Sequence, residues 1–263
     1  MNDHRKSIVP PVGRPNGSLA GKRMAVIGAS GGVGRQVVAA AARSGARVLA
    51  VARREGPLRQ LAEEAPGVEV LPLDATDEAA PGKVFSLLRP DVLVLCAGVF
   101  PPSAPLHEQS WREFSANWEA DVKLTFHFLK AALSLPLPAG SSVIVVSSGA
   151  ALAGSPNSGG FAAAKRAQMF IANYAQKESD RLGLGLRFAT LAPRIMPDTA
   201  LGQHAIEGYS RYLAISAADF TRSMESPPTA SDVATAVIEL AADPEPSKGK
   251  VFVVSGRGLT AVQ

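Results

Sequence analysis

The residues best suited to chemistry lie between positions 147 and 165. An apolar, strand-like run, Val143 to Val146, ends at Ser147-Ser148-Gly149. A Gly/Pro/Ser loop follows, and a helix opens with Phe161 and Lys165. Those two residues are four apart, so they share one helix face. A serine hydroxyl at a strand end facing a helical lysine is a catalytic arrangement. The hydroxyl expected beside them is missing, because a phenyl ring at 161 has no proton to give. Whether the chain does chemistry turns on that residue.

The surrounding sequence sets out the elements that must hold these groups. Met24 to Ile27 reads as a short buried strand that runs into Gly28-Ala29-Ser30-Gly31-Gly32-Val33-Gly34 and a helical pattern from Arg35 to Arg43. A second strand, Val48 to Ala52, completes a βαβ unit, which implies parallel strands and a right-handed crossover. The alternation continues with a helix at 57–64, a strand at 68–71, a proline-broken helix at 83–88 and the wholly apolar strand Val92 to Leu95. Ser110 with Glu113 reads as a capping box opening a long helix to about Leu133. After the strand 143–146 come a helix over 160–182 and a strand at 186–191.

From Pro193 to Pro228 the regularity fails, and such an excursion usually covers a ligand site. Ser231-Asp232 then caps a helix striped with Val233, Val237 and Leu240, before a closing strand at 251–254. The expectation is an α/β chain: one Rossmann-type doubly wound domain of about seven parallel strands flanked by helices. Its bounds are 19–263, with a flexible tail at 1–18 and a substrate-covering lid at 194–228.

Composition narrows the class. The chain has 263 residues, 46% hydrophobic and 19% charged, which suits a packed globular core. Its net charge of +4 comes mostly from scattered Arg, with no basic block interleaved with aromatics, so nucleic acid is not an expected partner. The four histidines, at 4, 107, 127 and 204, lack metal-ligand spacing with one another or with Cys96, so no metal is expected. Neither a signal peptide nor a bilayer-length apolar run is present, and the one cysteine fits a reduced, cytoplasmic setting.

Two motifs point to a dinucleotide. The glycines at 28–34, between a strand and a helix, let backbone approach a pyrophosphate held at the helix N-terminus. Their spacing is Gly28-x-x-x-Gly32-x-Gly34. The second strand ends in Ala52-Arg53-Arg54 where an acidic residue would bind an adenosine ribose hydroxyl. Two guanidiniums with no carboxylate favour a 2′-phosphate, hence NADP(H) over NAD(H).

Taken in order, these motifs resemble the short-chain dehydrogenase/reductase family over roughly Leu19 to Gly258. The family's T-G-x-x-x-G-x-G motif matches at Gly28, Gly32 and Gly34, with Ile27 in place of the threonine. Its adenine-contacting Asp matches Asp74, and its N-N-A-G motif appears as Leu95-Cys96-Ala97-Gly98. The catalytic serine falls on Ser148, and Y-x-x-x-K on Phe161 to Lys165 without the tyrosine. The helix asparagine falls on Asp121, and Pro-Gly becomes Pro193-Arg194 with Thr199 downstream.

The resemblance implies a cofactor-binding set of Gly28, Ser30, Gly32, Val33, Gly34, Arg53, Arg54, Asp74, Ala75, Ala97, Gly98, Lys165, Pro193, Ile195 and Thr199. It implies catalytic positions at Ser148, Lys165, Asp121 and the altered Phe161. In the family the tyrosine gives a proton to the carbonyl oxygen as hydride arrives, and the lysine lowers its pKa and holds the nicotinamide ribose. The asparagine acts largely through its main-chain carbonyl and a water.

Three functions follow. The first is an NADP(H)-dependent oxidoreductase on a carbonyl or alcohol with an atypical proton donor, among which Tyr209, Tyr212, Asp121 and Ser148 are candidates. The second is an impaired NADP(H)-binding protein acting as a sensor or partner subunit. The third is a non-redox enzyme on the same fold. Apolar residues on the two long helices, among them Phe126, Leu129, Leu133, Met169 and Phe170, suit the homodimer or homotetramer that the family commonly forms. No membrane partner is expected.

Overall fold

A computed structural model describes residues 18–262 of the chain. The expected tail, Ser18 apart, lies outside the described residues. Eight strands form one sheet in the order β3-β2-β1-β4-β5-β6-β7-β8. They are β1 (Arg23–Ile27), β2 (Arg47–Ala52), β3 (Glu69–Pro72), β4 (Val92–Leu95), β5 (Ser142–Val146), β6 (Arg187–Pro193), β7 (Val251–Ser255) and β8 (Gly258–Val262). The first seven are parallel. The eighth pairs antiparallel with β7, Val254 opposite Leu259, and is one more strand than the sequence pattern announces. A two-residue turn, Gly256-Arg257, joins the pair. Thr260 and Ala261 stay exposed, so β8 lacks the continuous apolar run that marks the buried strands.

Each central strand feeds two cores. Met24 and Val26 face one side, and Ala25 and Ile27 face the other, all fully buried. Covering both faces is what makes β4 and β5 read as unbroken apolar runs. On one face, α1 (Gly32–Arg43) and α10 (Ala230–Ala242) pack Val37, Val38, Val233 and Val237 beneath Val94, Ile144 and Leu191. On the other, α3 (Ala80–Leu87), α5 (Lys123–Ser134) and α7 (Gly159–Arg181) set Val84, Phe128 and Ala172 against Leu93, Val143 and Phe188. α2 (Glu55–Glu64) follows β2.

Three local expectations need correction. The helix expected over 110–133 is broken: α4 (Trp111–Asn117) leads into a π-helical turn, Trp118–Val122, before α5. Its capping box is present as expected, with Ser110 Oγ accepting from the Glu113 N–H at 3.3 Å. A π turn adds a residue to the helical repeat, so the apolar stripe is offset on either side of it. The cap of α10 is Thr229, whose box partner is Asp232, not the pair Ser231-Asp232. The loop after Ser148 also holds a short helix, α6 (Ala150–Ala153). In the irregular segment, α8 (Ala200–Leu213) and α9 (Ala217–Ser223) form.

Sheet order fixes where a site can sit. β1 lies between β2 and β4, so the connections leaving β1 and β4 run to opposite sides of the sheet. Their carboxyl ends open a crevice at that switch point.

Candidate active site

The crevice is built from close backbone approach. Gly28 has φ +98°, and a Cβ there would fall 2.5 Å from Ala97 N. A Cβ on Gly34 would fall 2.2 Å from the Gly28 carbonyl oxygen. These two glycines are required by backbone packing within the chain. A Cβ on Gly31 or Gly32 would meet nothing within 4 Å. The turn therefore leaves open space at the start of α1, whose first turn carries no acidic residue. Partial positive charge and free N–H groups at that helix end suit a pyrophosphate. Ser30 is half-buried and Val33 buried in the same turn. The cradle fits the dinucleotide that the motif implies.

The residues expected at an adenosine end lie at the carboxyl ends of β2 and β3. Arg53 and Arg54 are exposed at the carboxyl end of β2. Asp74 follows β3, and its carboxylate accepts from the Thr76 N–H at 2.9 Å and the Thr76 hydroxyl at 2.8 Å. Those bonds, the backbone one first, hold its carboxyl below the ordinary value, and the Arg53 and Lys123 charges add to the effect. Ala75 is buried, and Ala97 and Gly98 line the other wall, where Cys96 N–H donates to the Ile27 carbonyl at 2.8 Å. Burial pushes the Cys96 thiol up to about 12, so no thiolate competes here.

Ser148, Phe161 and Lys165 lie farther along the same carboxyl ends of the strands. Ser148 Oγ accepts from the Ala150 N–H at 3.2 Å, and among the described residues its own O–H has no acceptor. Ser147 instead fastens strand to helix, its hydroxyl donating to the Lys165 carbonyl at 2.8 Å. Lys165, only 5% exposed, reaches Asp121 Oδ2 at 3.1 Å. Its ammonium stands 5.5 Å from the centre of the buried Phe161 ring. Phe161, Lys165 and Asp121 are thus brought together, as the sequence expects.

Asp121 is fully buried and its carboxylate has three donors. Besides Lys165, it takes the Val99 N–H at 3.0 Å and the Asn117 amide at 3.3 Å. Gly98 makes room for it, since a Cβ there would lie 2.9 Å from Oδ2. The Asp121 main-chain carbonyl is already taken, accepting from Thr125 Oγ1 at 2.7 Å and Gln168 Nε2 at 3.0 Å. Where the resemblance implies a role for the main-chain carbonyl at this position, the Asp121 side chain itself pairs with Lys165. Asn117, Thr125 and Gln168 were missed as site residues. Their signal is spacing: Asn117 and Thr125 stand four residues either side of Asp121, and Gln168 three past Lys165.

The covering segment closes against two loops. His204 Nε2 lies 2.8 Å from the Pro101 carbonyl, and the Tyr209 hydroxyl donates to Ser155 Oγ at 2.7 Å. Tyr209 is thereby committed to holding α8 in place. Tyr212 is 47% and Tyr174 59% exposed. Thr199 caps α8, accepting from the Gly202 N–H at 2.9 Å and donating to the Met196 carbonyl at 3.0 Å. Pro193 is buried at the end of β6, its carbonyl accepting the Gly149 N–H at 2.7 Å, and Ile195 is half-buried beyond it. Among the described residues no three His, Cys, Asp or Glu side chains converge as a metal site, and no helix is long and apolar enough to cross a membrane.

Comparison with known proteins agrees with this geometry. The family model for short chain dehydrogenases matches residues 22–209. A short chain dehydrogenase/reductase, AacuD, of Aspergillus aculeatus is 32% identical over 193 residues, covering 70% of this chain and 67% of that protein. The 2-keto-3-deoxy-L-fuconate dehydrogenase of Xanthomonas campestris pv. campestris is 30% identical over 195 residues, covering 72% of this chain and 63% of that protein. The crystal structure of a short chain dehydrogenase from Mycobacterium avium superposes with a TM-score of 0.73 at 21% identity, over 94% of this chain and 86% of that one. With its glycine turn, serine strand end and helical lysine at one edge of the sheet, the chain belongs to the short-chain dehydrogenase/reductase family of nicotinamide-dependent oxidoreductases.

Proposed function

We propose that the chain is an NADP(H)-dependent oxidoreductase of the short-chain type that acts on a carbonyl or alcohol without a tyrosine acid. It is one domain over 19–263, with 194–228 as a lid over the substrate, and works as a cytoplasmic homodimer or homotetramer. The observation that carries this reading is the cradle: open space over Gly31 and Gly32 at the start of α1, with Arg53 and Arg54 exposed at the end of β2. A bound nicotinamide supplies or accepts the hydride. Gly31 to Gly34 hold the pyrophosphate, Arg53 and Arg54 the 2′-phosphate, and Lys165 the nicotinamide-side ribose. Ser148 offers its free O–H to the substrate oxygen, fixing the carbonyl for attack.

Without a general acid at 161 the rate falls by about 100- to 10,000-fold from what a positioned acid supplies. That same defect favours one second reading. The Phe161 ring packs against an ammonium already held by Asp121, and this suits an NADP(H)-binding sensor or partner subunit.

Fluorescence titration with NADPH and NADH, on wild type and Arg53→Ala, tests the cofactor assignment. Loss of NADPH affinity well beyond that of NADH is expected, and equal losses refute it. A carbonyl panel on wild type and Phe161→Tyr then separates the two readings. Slow wild-type turnover supports the enzyme. Turnover by the tyrosine variant alone supports the sensor.

A further inference from the structure

We infer that Asp121 is a built-in counter-ion that cancels the electrostatic influence of Lys165 inside the protein, so that position 161 and position 121 act as a coupled pair. The inference concerns the same site as the oxidoreductase reading and deepens it.

The geometry is specific. The Lys165 ammonium is buried, and its charged partner among the described residues is the Asp121 carboxylate at 3.1 Å. Its other near neighbour is the face of the Phe161 ring, with centroid 5.5 Å away. Cys96 on the β4 side stays a neutral thiol, because burial outweighs the lowering by the Lys165 charge, and it supplies no second anion. A buried cation needs a partner, because desolvation without one costs several kcal/mol per ion. Asp121 meets that need. It is itself anchored by Val99 N–H and Asn117, from the loop after β4 and the last turn of α4. Three segments therefore converge on one carboxylate, and its position does not depend on Lys165 alone.

The electrostatic consequence concerns any hydroxyl near the ammonium. A lone positive charge within about 4–6 Å lowers the pKa of an acid by roughly 1–3 units. A cation paired with an anion at contact distance presents a dipole instead, and the two charges oppose each other at a nearby group. Asp121 is thus a positioning residue: it keeps Lys165 in place for a sugar hydroxyl while removing its power to acidify a donor. A tyrosine returned to 161 meets a neutralised lysine. Phe161 and Asp121 are two halves of one change in the site.

The test reads the titration of a phenol placed at 161, with neither cofactor nor substrate present, so it can fail independently of the oxidoreductase reading. Absorbance difference titrations against wild type isolate the new phenol in Phe161→Tyr, and in Phe161→Tyr combined with Asp121→Asn and Lys165→Met. The triple variant carries no buried charge at these positions, so it avoids leaving one ion unpaired. The two midpoints are expected to agree within about 0.5 unit, both above the ordinary phenol value of about 10 because the position is buried. A single-substituted phenol titrating a unit or more below that of the triple variant overturns the inference, because Lys165 would then act uncancelled. Adding Asp121→Asn alone to Phe161→Tyr sharpens the reading where it folds. Its phenol is expected to drop by a unit or more, and an unchanged midpoint also refutes the cancellation.

Discussion

Alanine scanning of the glycine turn separates glycines that serve the fold from glycines that serve a ligand. At Gly34 an alanine methyl lands 2.2 Å from the Gly28 carbonyl oxygen and 2.9 Å from its carbon. Both are backbone atoms at the end of β1 and cannot swing away. Overlap of this kind costs about 1–3 kcal/mol and sometimes more. Gly28→Ala adds backbone strain to overlap: φ is +98°, and the methyl meets Ala97 N at 2.5 Å. Strain of about 1–3 kcal/mol on top of a similar overlap gives roughly 2–6 kcal/mol. Gly32→Ala carries only the strain of φ +49°, about 1–2 kcal/mol, because nothing lies within 4 Å. Gly82→Ala, in open space within α3, is expected to stabilise by about 0.5–1 kcal/mol. Since each kcal/mol moves the melting point of a chain this size by about 2–4 °C, thermal scans resolve the series. Paired NADPH titrations supply the second axis. Gly32→Ala is expected to fold nearly normally yet lose cofactor affinity, because its methyl fills space meant for the pyrophosphate. A Gly34→Ala protein as stable as Gly82→Ala would refute the packing argument, and undiminished NADPH affinity in Gly32→Ala would refute the cradle.

Two further predictions concern the rest of the chain. At the amino ends of the central strands Arg23 clasps Asp91 through Nε and Nη2, at 3.0 and 2.9 Å, and through its backbone N–H at 2.9 Å. The Arg23 side chain holds the Asp91 carboxyl below its ordinary 3.8. Its contribution is therefore full above about pH 4 and fades as pH falls through the lowered folded value. Asp91→Asn is expected to lower the unfolding free energy from urea titrations at pH 7, by about 1 kcal/mol at most given the partial exposure, and to converge with wild type as pH falls below the lowered folded value. A gap that persists in acid refutes the assignment. Phe126 on α5 and Phe170 and Tyr174 on α7 are half or more exposed, and Phe170 stacks on Tyr174. Light scattering is expected to show a homo-oligomer that Phe170→Asp shifts toward monomer, and a monomeric wild type contradicts the expectation.

What the sequence reveals depends on the range of the interaction behind each feature. Parallel strands buried on both faces must be apolar at every position, so β4 and β5 were visible as runs. Capping by Ser110 and Glu113 is local and was read correctly, whereas Thr229 was passed over for a neighbouring Ser-Asp pair with the same chemistry. β8 was missed because an edge strand with one exposed face carries a weak pattern. The π turn was missed for a different reason. Its Asp121 is held by Val99 and Lys165, partners distant in sequence that no local spacing announces. The cofactor motifs were legible since each lies within a few residues of a strand end. The pairing of Asp121 with Lys165 spans 44 positions of sequence and two helices, and only the fold brings it about.

The two halves of the site answer to different physics, which bears on how the loss at 161 should be understood. The proposed cofactor cradle rests on an open glycine turn, a helix end and two exposed guanidiniums. None of these involves Phe161, so the cradle can persist whatever happens to the acid. Proton delivery rests on one buried cation and what surrounds it. Removing a hydroxyl beside that cation leaves an ammonium with fewer partners in a dry setting, and a buried ion in that condition destabilises the fold. An aspartate at 121 in place of a neutral amide supplies the missing negative charge at 3.1 Å. On the proposed reading, Phe161 offers no proton and Asp121 keeps the lysine held in place. Restoring the tyrosine without relieving the aspartate should therefore return a hydroxyl to the site but not its acidity.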